Sequence, residues 1–205
     1  MFTQIGAKPE SDFSDPLGML GDCHKRILFF LNDLVRLAES APSAPLDSAQ
    51  RAALERALRY FQESGPRHTA DEEESLFPRL AALHDERVDE LLAKINLLEA
   101  DHASAELVHL EIDAIGVCWL ADGLIRDQDA TRLKSLLRGL SRMYEHHLAI
   151  EDRAVFPSAA TLLSDHQKTE IGREMAKRRG LSPEIVRDSL KGAPQPSNAK
   201  VEVQA

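Results

Sequence analysis

The segment HTADEEESLFP at residues 68–78 recurs as HLAIEDRAVFP at residues 147–157. Both copies contain a histidine, a glutamate four residues later, an acidic residue after that glutamate, and a final Phe-Pro. A histidine also precedes each copy at nearly the same distance, His24 for the first and His102 for the second. The chain is therefore predicted to contain two similar helical hairpins, each with one histidine on its first helix and His-x-x-x-Glu on its second.

Apolar residues recur around these motifs at steps of three and four, as they do on one face of an α-helix. Asp15-Pro16 and Asp47 carry the side chains that commonly begin a helix. No segment alternates polar and apolar residues with period two. We therefore predict an all-α fold, an antiparallel four-helix bundle of two repeated hairpins with a short extra C-terminal helix. The predicted helices run from Pro16 to before residue 41, from 48 to about 83, from 86 to 121, from 129 to 155 and from 164 to 179.

Prolines and glycines mark the predicted interruptions and boundaries. Gly65-Pro66 should kink or interrupt the second helix, and Pro78 and Pro157 should stop or kink theirs. Gly180 should end the fifth helix. The predicted domain is residues 15–180, between an N-terminal extension at 1–14 and a mobile, apolar-poor tail at 181–205.

Charge and composition exclude several classes of partner. The 205 residues carry a net charge of −9, whereas a nucleic-acid surface needs clustered Lys and Arg. The short basic run at residues 177–179 is interpreted as the last turn of the fifth helix, opposing its dipole, with a binding patch as the alternative. No signal peptide or apolar run of about 18 residues is present. With only two cysteines, Cys23 and Cys118, the chain is predicted to be cytoplasmic, without a membrane partner.

The repeated motif has a specific chemical meaning on a helix. Residues four apart project from the same face, so each histidine and glutamate can present one nitrogen and one carboxylate to a common point. All six side chains continue apolar stripes and should face the interior, where an unpaired carboxylate costs several kcal/mol or is neutralised. The predicted metal ligands are His24, His68, Glu72, His102, His147 and Glu151.

Four imidazoles and two carboxylates would satisfy two divalent cations. Each cation would take two histidines, and the two glutamates would bridge cations about 3.5–4 Å apart. Nitrogen and oxygen ligands without thiolate suit Fe, Mn or Zn. The alternative is a buried polar network without a metal, but the duplication with matching spacing favours the metal site.

On these motifs, residues 15 to about 160 resemble the hemerythrin-like, or HHE cation-binding, domain family. The resemblance implies a four-helix bundle with an oxo- or hydroxo-bridged non-haem di-iron centre, in which Mn or Zn could substitute. It also implies that the four histidines are terminal iron ligands and that Glu72 and Glu151 are the bridging carboxylates.

The chain differs from the oxygen-carrying hemerythrins, which use five histidines, two of them one turn apart on one helix. Here Glu106, not histidine, follows His102 by one turn. The symmetric set of four is more similar to bacterial members linked to iron–sulfur repair, nitric oxide or peroxide responses. The leading hypothesis is therefore a di-iron protein that reacts with or senses O₂, H₂O₂ or NO. The alternatives are an iron- or redox-responsive module that binds a protein partner, and an iron donor for iron–sulfur cluster repair; oligomeric state is left open.

Several other side chains near the predicted centre allow two interpretations. Glu106 could be a weak ligand or outer partner, or a plain exposed residue. Tyr144 could pack in the core, form a hydrogen bond near the centre or supply a redox-active phenol. His109 lies two turns beyond His102, too far to share the centre.

The remaining histidines and aromatic residues are assigned structural roles. His146 is turned about 100° from His147 and should lie at the surface. The other predictions are that His84 and His166 are solvated, that Cys23 and Cys118 are small buried hydrophobes, and that Phe77 and Phe156 pack near the bundle end.

Overall fold

The structure, a computed structural model, describes residues 10–40, 44–83 and 86–182, apart from the side chains of residues 86 and 87. Within these ranges every regular element is helical, which confirms the predicted all-α class. The α-helices are α1 (Pro16–Ser40), α2 (Ser48–Glu63), α3 (Gly65–Asp71), α4 (Phe77–Ala81), α5 (Glu86–Asp122), α6 (Asp127–Ile150), α7 (Phe156–Leu162) and α8 (Asp165–Arg178). One π turn (Glu72–Leu76) joins α3 to α4, and another (Glu151–Val155) joins α6 to α7.

The long helices form a bundle around a shared interior. α1 contacts α2 and α6, and α5 contacts the same two helices. The predicted C-terminal helix is present as α8, which lies against α1, α3 and the first π turn. It therefore covers one side of the first repeat.

Helix starts follow the local signals in the sequence. Asp15 accepts a backbone hydrogen bond of 3.1 Å in the first turn of α1. Asp47 accepts one of 2.8 Å from the Gln50 N–H, and the Gln50 side chain accepts one of 3.0 Å in return, which closes a capping box. The helix is interrupted between Glu63 and Gly65, as the Gly65-Pro66 pair predicts.

The two π turns explain how the prolines are accommodated. In each, the N–H of the following phenylalanine donates to the carbonyl of the first glutamate, five residues back. Pro78 and Pro157 then lie in the first turn of the next helix, where a missing N–H breaks no intrahelical bond. The helices therefore do not stop at these prolines, because the chain widens just before them and continues helically. A kink, the alternative, stays a prediction.

Two apolar clusters fill the interior, with a polar layer between them. On α1, Leu20 belongs to one cluster and Ile27 to the other. His24 lies between these residues, and each of the other three long stretches likewise has a histidine between the two clusters. The histidines of this layer are His24, His68, His102 and His147.

The remaining boundaries are partly outside the described residues. Gly180 follows α8 with a φ of 71°, a conformation that favours glycine, as predicted. Residues 1–9, His84 and the part of the predicted tail from residue 183 onward lie outside the described ranges. Among the helices that are described, none has the length and apolar character needed to span a bilayer.

Candidate metal centre

The structure brings all six predicted ligand residues together in the polar layer. Glu72 and Glu151 are fully buried, and the histidine side chains are at most 8% exposed. Each glutamate begins a π turn one helical turn after its histidine. Such a turn widens the helix and is frequent at functional sites.

The contacts divide the four histidines into two pairs. The ring centroids of His24 and His68 are 5.2 Å apart, and those of His102 and His147 are 4.7 Å apart. Each pair joins the first and second helix of one hairpin. Each pair therefore lies at the centre of its own hairpin, facing the other.

Each glutamate gives one oxygen to each histidine pair. Glu151 lies 3.1 Å from the Nε2 of His24 through Oε2, and 3.1 Å from the Nε2 of His147 through Oε1. Glu72 approaches His68 at 3.6 Å with Oε1 and His102 at 3.4 Å with Oε2. Two clusters of potential ligand atoms result, each within 4.8 Å: His24, His68, Glu72 and Glu151; and His102, His147 and Glu151.

The buried atoms of this cluster fit a bound cation better than a polar network. Both carboxylate oxygens of Glu72 and of Glu151 are buried without a hydrogen-bond partner, as are the Nε2 atoms of His24 and His68. They approach one another without hydrogen-bond alignment, although a buried unsatisfied polar group costs about 1–3 kcal/mol. Nitrogen and carboxylate donors converging in this way are a ligand set for a divalent metal.

The electrostatics of the cluster separate the two carboxylates. Burial and the neighbouring charge of Glu151 raise the pKa of Glu72 well above its usual range. Burial also opposes ionisation of Glu151, but its contacts with His147 and His24 outweigh burial and lower its pKa. Without a metal, Glu151 is therefore the carboxyl group of the pair that ionises more readily.

The pKa values of two histidines are shifted in opposite directions. Burial disfavours a charge on His24, yet the carboxylates of Asp152 and Glu151 outweigh it and raise its pKa to about 9. Burial, together with the charge on His24, lowers the pKa of His68 to about 3. A metal-free centre thus holds a proton on His24 at neutral pH, and this proton must leave when a metal binds.

For the metal-free protein we expect the free energy of unfolding to be greatest near pH 6.5. His24 keeps its proton to about pH 9 when folded but only to about pH 6.5 when unfolded, so its stabilisation, up to about 3 kcal/mol, is complete below pH 6.5 and is lost as pH rises through 9. Below pH 6.5, His68 and His109, with folded pKa values of about 3 and about 4, stay neutral while the unfolded chain gains protons. The Glu72 carboxyl, whose pKa is raised, acts in the opposite direction, but it is one group against two. Thermal unfolding of metal-free protein from pH 5 to 9.5 measures both limbs.

A variant and a metal provide the controls for this pH profile. His24→Asn should flatten the limb between pH 6.5 and 9 and leave the acidic limb in place. Saturating metal should have the same effect on the alkaline limb, because binding requires neutral His24. A metal-free melting temperature that rises steadily from pH 6.5 to 9 would contradict the charge assigned to His24.

Two carboxylates from the π turns orient histidine rings from outside the cluster. Asp152 lies 2.9 Å from the Nδ1 of His24, and Glu73 lies 2.8 Å from the Nδ1 of His102. Each follows the buried glutamate of one repeat and contacts a histidine of the other, so these contacts connect the two hairpins. Such carboxylates fix the tautomer and turn Nε2 toward a metal. The sequence signal for this role is the acidic residue that follows the glutamate in both copies of the motif.

The outer carboxylates are distributed asymmetrically. Asp101, which precedes His102, lies 3.3 Å from the Nδ1 of His147. In the first repeat the residue before the histidine is Cys23, and the Nδ1 of His68 has no partner among the described residues. His68 is therefore the one histidine of the four without a carboxylate on its outer nitrogen.

Aromatic rings line the cluster on two sides. Phe156 stacks on His24 with centroids 5.2 Å apart, and Phe77 lies parallel to the ring of His102 at 6.5 Å. Both phenylalanines belong to one apolar cluster and lie on the side of the polar layer where that cluster packs.

Tyr144 and His109 form a hydrogen-bonded pair beside the centre. The Tyr144 hydroxyl lies 3.0 Å from the Nε2 of His109, whose pKa burial lowers to about 4. Neutral His109 therefore accepts a hydrogen bond that Tyr144 donates. The Tyr144 ring packs against the core and lies 6.2 Å from the ring of His147, so both the core-packing and the hydrogen-bonding interpretations of Tyr144 are confirmed. His109 is outside the ligand clusters, as predicted.

A pair of arginines from α8 holds the first π turn. Arg178 lies 2.9 Å from one oxygen of Asp71, and Arg179 lies 2.8 Å from the other. Arg178 also donates to the Ser75 hydroxyl at 2.8 Å and to Glu74 at 3.1 Å. The basic run is thus in the last turn of its helix, as predicted, but its arginines pair with carboxylates next to Glu72.

The second repeat has no equivalent of this arrangement. Ile150, Arg153 and Ala154 occupy the positions of Asp71, Glu74 and Ser75. Asp71 is fully buried, so its charge depends on the two arginines of α8. The difference between the copies fits the position of α8, whose arginines pair with the first π turn and the residue before it.

For the other residues with specific predictions, the structure confirms the burial or exposure of most and contradicts that of one. His146 and His166 are exposed, as predicted, and Glu106 is exposed and outside both ligand clusters. Cys23 is buried, but Cys118 is exposed, so the prediction of a buried Cys118 is wrong. Cys118 lies in α5 between exposed Val117 and buried Trp119.

The fold and the cluster together define a helical protein with a histidine- and glutamate-rich site able to hold metal cations. The sequence model of the hemerythrin HHE cation-binding domain matches residues 15–157, and the chain belongs to this family. The match ends before α8. No curated protein matches the chain.

Proposed function

We propose that the chain is a non-haem di-iron protein whose centre reacts with or senses a small oxidant or diatomic molecule, O₂, H₂O₂ or NO. One observation carries the proposal: each of two buried glutamates presents one oxygen to each of two histidine pairs. A single cation would leave one pair and half of each carboxylate unused. The family and the ligand chemistry support iron, with Mn or Zn as substitutes.

The proposed architecture is an antiparallel four-helix bundle of two hairpins. The ring of contacts between α1, α2, α5 and α6 supports it. So does the pairing of His24 with His68 and of His102 with His147, which requires the two helices of each hairpin to lie side by side.

The proposed ligands at the first position are His24 and His68, and at the second His102 and His147, with Glu72 and Glu151 shared between them. Two histidines with carboxylates are a donor set of non-haem iron sites with open positions. When bound, the metals would supply electrons and a binding position for the small molecule.

The chain's own residues would orient the ligands and exclude water. Asp152, Glu73 and Asp101 keep three histidines with Nε2 toward the centre. The two apolar clusters above and below the polar layer exclude water, which strengthens electrostatic interactions there. Tyr144 holds a proton at its hydroxyl, which donates a hydrogen bond to neutral His109. Its ring lies 6.2 Å from that of His147.

The test is the metal content and reactivity of the purified protein. After anaerobic reconstitution with Fe²⁺ we expect about two irons per chain, as a two-metal site requires. Separate addition of O₂, H₂O₂ and NO should produce visible absorption bands with at least one of them. Fewer than about two irons with no band after any addition would refute the di-iron proposal.

A second candidate function is an iron-responsive interaction module. The observation that favours it is the contact of α8 with the π turn that carries Glu72, since this contact connects an outer helix to the centre. Metal occupancy would then alter how α8 is held, and a protein partner would bind one of the two states. Partner capture that depends on iron, without consumption of H₂O₂ or NO, distinguishes this function from the first.

A further inference from the structure

A cavity of about 790 Å³ lies between α2, α3 and α5 and reaches the candidate centre. His68, His102 and His147 line its inner part, whereas His24 and both bridging-type glutamates do not. Its volume is far larger than O₂, NO or H₂O₂ needs, since a water molecule takes about 30 Å³ of the liquid. The cavity therefore admits a larger occupant than the small molecules of the proposed reaction.

The charged residues of the cavity wall are all acidic. The lining contains five carboxylates and no lysine or arginine; the five are Glu73, Glu74, Glu99, Glu106 and Asp113. Three of them have partners within the protein, because Glu73 contacts His102, Glu74 contacts Arg178 and Asp113 accepts from Gln62. Glu99 and Glu106 are exposed and lie two turns apart on α5.

We propose that this cavity is the route by which a hydrated divalent cation reaches the centre, and that Glu99 and Glu106 are the first groups to bind it. The proposal rests on the metal centre described above. A cleft lined by one sign of charge concentrates ions of the opposite sign and raises their association rate. In this role Glu106 guides the cation toward the centre and is not one of its final ligands.

The inner end of the cavity contains the groups that would receive the cation. His68 is only 4% exposed, and both of its ring nitrogens lack a hydrogen-bond partner among the described residues. An imidazole in this state is free to exchange its contacts for a metal. His102 and His147 border the same space, and their outer nitrogens are already held by Glu73 and Asp101.

The geometry also implies an order of filling. Both histidines of the His102–His147 pair line the cavity, whereas only one of the His24–His68 pair does. His24 lies behind the cluster, with Phe156 stacked on its ring. The first cation should therefore bind between His102 and His147, and the second should reach His24 only after it.

The experiment measures the rate at which metal-free protein takes up Fe²⁺. Protein and Fe²⁺ are mixed rapidly without oxygen, and unbound iron is trapped with a chromogenic chelator after set times. Glu99→Gln with Glu106→Gln should slow uptake on the order of tenfold at low ionic strength. The difference should shrink in high salt, because exposed charges are then screened. Equilibrium affinity and the number of irons bound should not change.

The matched control removes two acidic charges from the same helix outside the cavity. Asp89→Asn with Asp122→Asn changes exposed residues near the two ends of α5 and should leave the uptake rate near that of the unaltered protein. Equal rates for the cavity variant and the unaltered protein would overturn the proposal, and so would equal slowing in the control. A lower affinity or fewer bound irons in the cavity variant would also overturn it, since Glu106 would then be a ligand.

A second variant tests the order of filling and separates this proposal from the metal centre itself. Ordered filling predicts two phases of uptake, a fast one for the first cation and a slow one for the second. In His24→Ala the fast phase should remain and the slow phase should be lost. Loss of the fast phase would overturn the order. If the unaltered protein binds no iron at equilibrium, the proposed metal centre fails, whereas full binding with no effect of the cavity carboxylates refutes only the route.

Discussion

His147→Ala should abolish metal binding between His102 and His147, whereas His146→Ala should leave it intact. His147 is 1% exposed and its Nε2 lies 3.1 Å from Glu151, while its neighbour His146 is exposed. Changing even an outer partner of a metal ligand costs about 10–100-fold in affinity, so loss of the ligand itself should cost more than about 100-fold. Metal content after dialysis against a weak chelator, with a competitive titration of Fe²⁺, measures the effect.

The two adjacent histidines make this comparison internally controlled. Both variants remove one imidazole from the same turn of α6, so they differ mainly in the direction of the side chain. If His147→Ala binds two irons with unchanged absorption, His147 is not a ligand. If His146→Ala loses metal to the same extent, the effect is a general one on the helix and not on the centre.

Arg178→Gln with Arg179→Gln should lower the free energy of unfolding by about 3–5 kcal/mol, the usual cost of leaving a buried charge unpaired. Asp71 is fully buried and pairs with both arginines at 2.8–2.9 Å. The neighbouring residue is Glu72, so loosening of the π turn should also speed the release of bound metal. Urea unfolding measures the first effect, and transfer of iron to an excess of chelator measures the second.

Two further variants show whether the buried charge is the cause. Lys177→Gln removes an exposed positive charge from the same turn and should change stability by less than about 0.5 kcal/mol. Adding Asp71→Asn to the double arginine variant removes the unpaired charge and should restore part of the lost stability. No restoration would mean that the arginines act through packing of α8 and not through Asp71.

The sequence was sufficient to predict the all-helical class and the residues that lie together in the interior. Helical periodicity is a local property, and His68 with Glu72 shares a face because four residues nearly complete a helical turn. The duplication then related His24 to His102 without any knowledge of the contacts between helices. The metal role of these residues stays a proposal, but their convergence is a structural fact.

The outer carboxylates and the arginine pair could not be assigned in the same way. Asp152 contacts His24 across 128 residues, and Arg178 contacts Asp71 across 107. No local period relates such residues, because their distance depends on how α1, α6 and α8 pack. The repeat did contain a hint, since Asp71, Glu74 and Ser75 differ in polarity from Ile150 and Ala154 in the second copy.

The prolines show the same limit at the scale of one turn. Pro78 and Pro157 lack an N–H, which predicts a break, but whether the chain breaks or widens depends on what the neighbouring backbone can bond. Here the π turns supply five-residue hydrogen bonds just before each proline. The residue pattern indicated a helix but not the widening, which is a property of the backbone hydrogen bonds.

By itself the sequence determined the helices, their buried faces and the duplicated histidine–glutamate motif, because all of these depend on the spacing of residues along one helix. Only the tertiary structure decided which histidines pair, how each glutamate is divided between the pairs, and which carboxylates hold the rings. It also placed α8 on one repeat and formed an acidic cavity that reaches the centre. These features depend on contacts between distant segments, which result from the packing of whole helices and not from any local pattern.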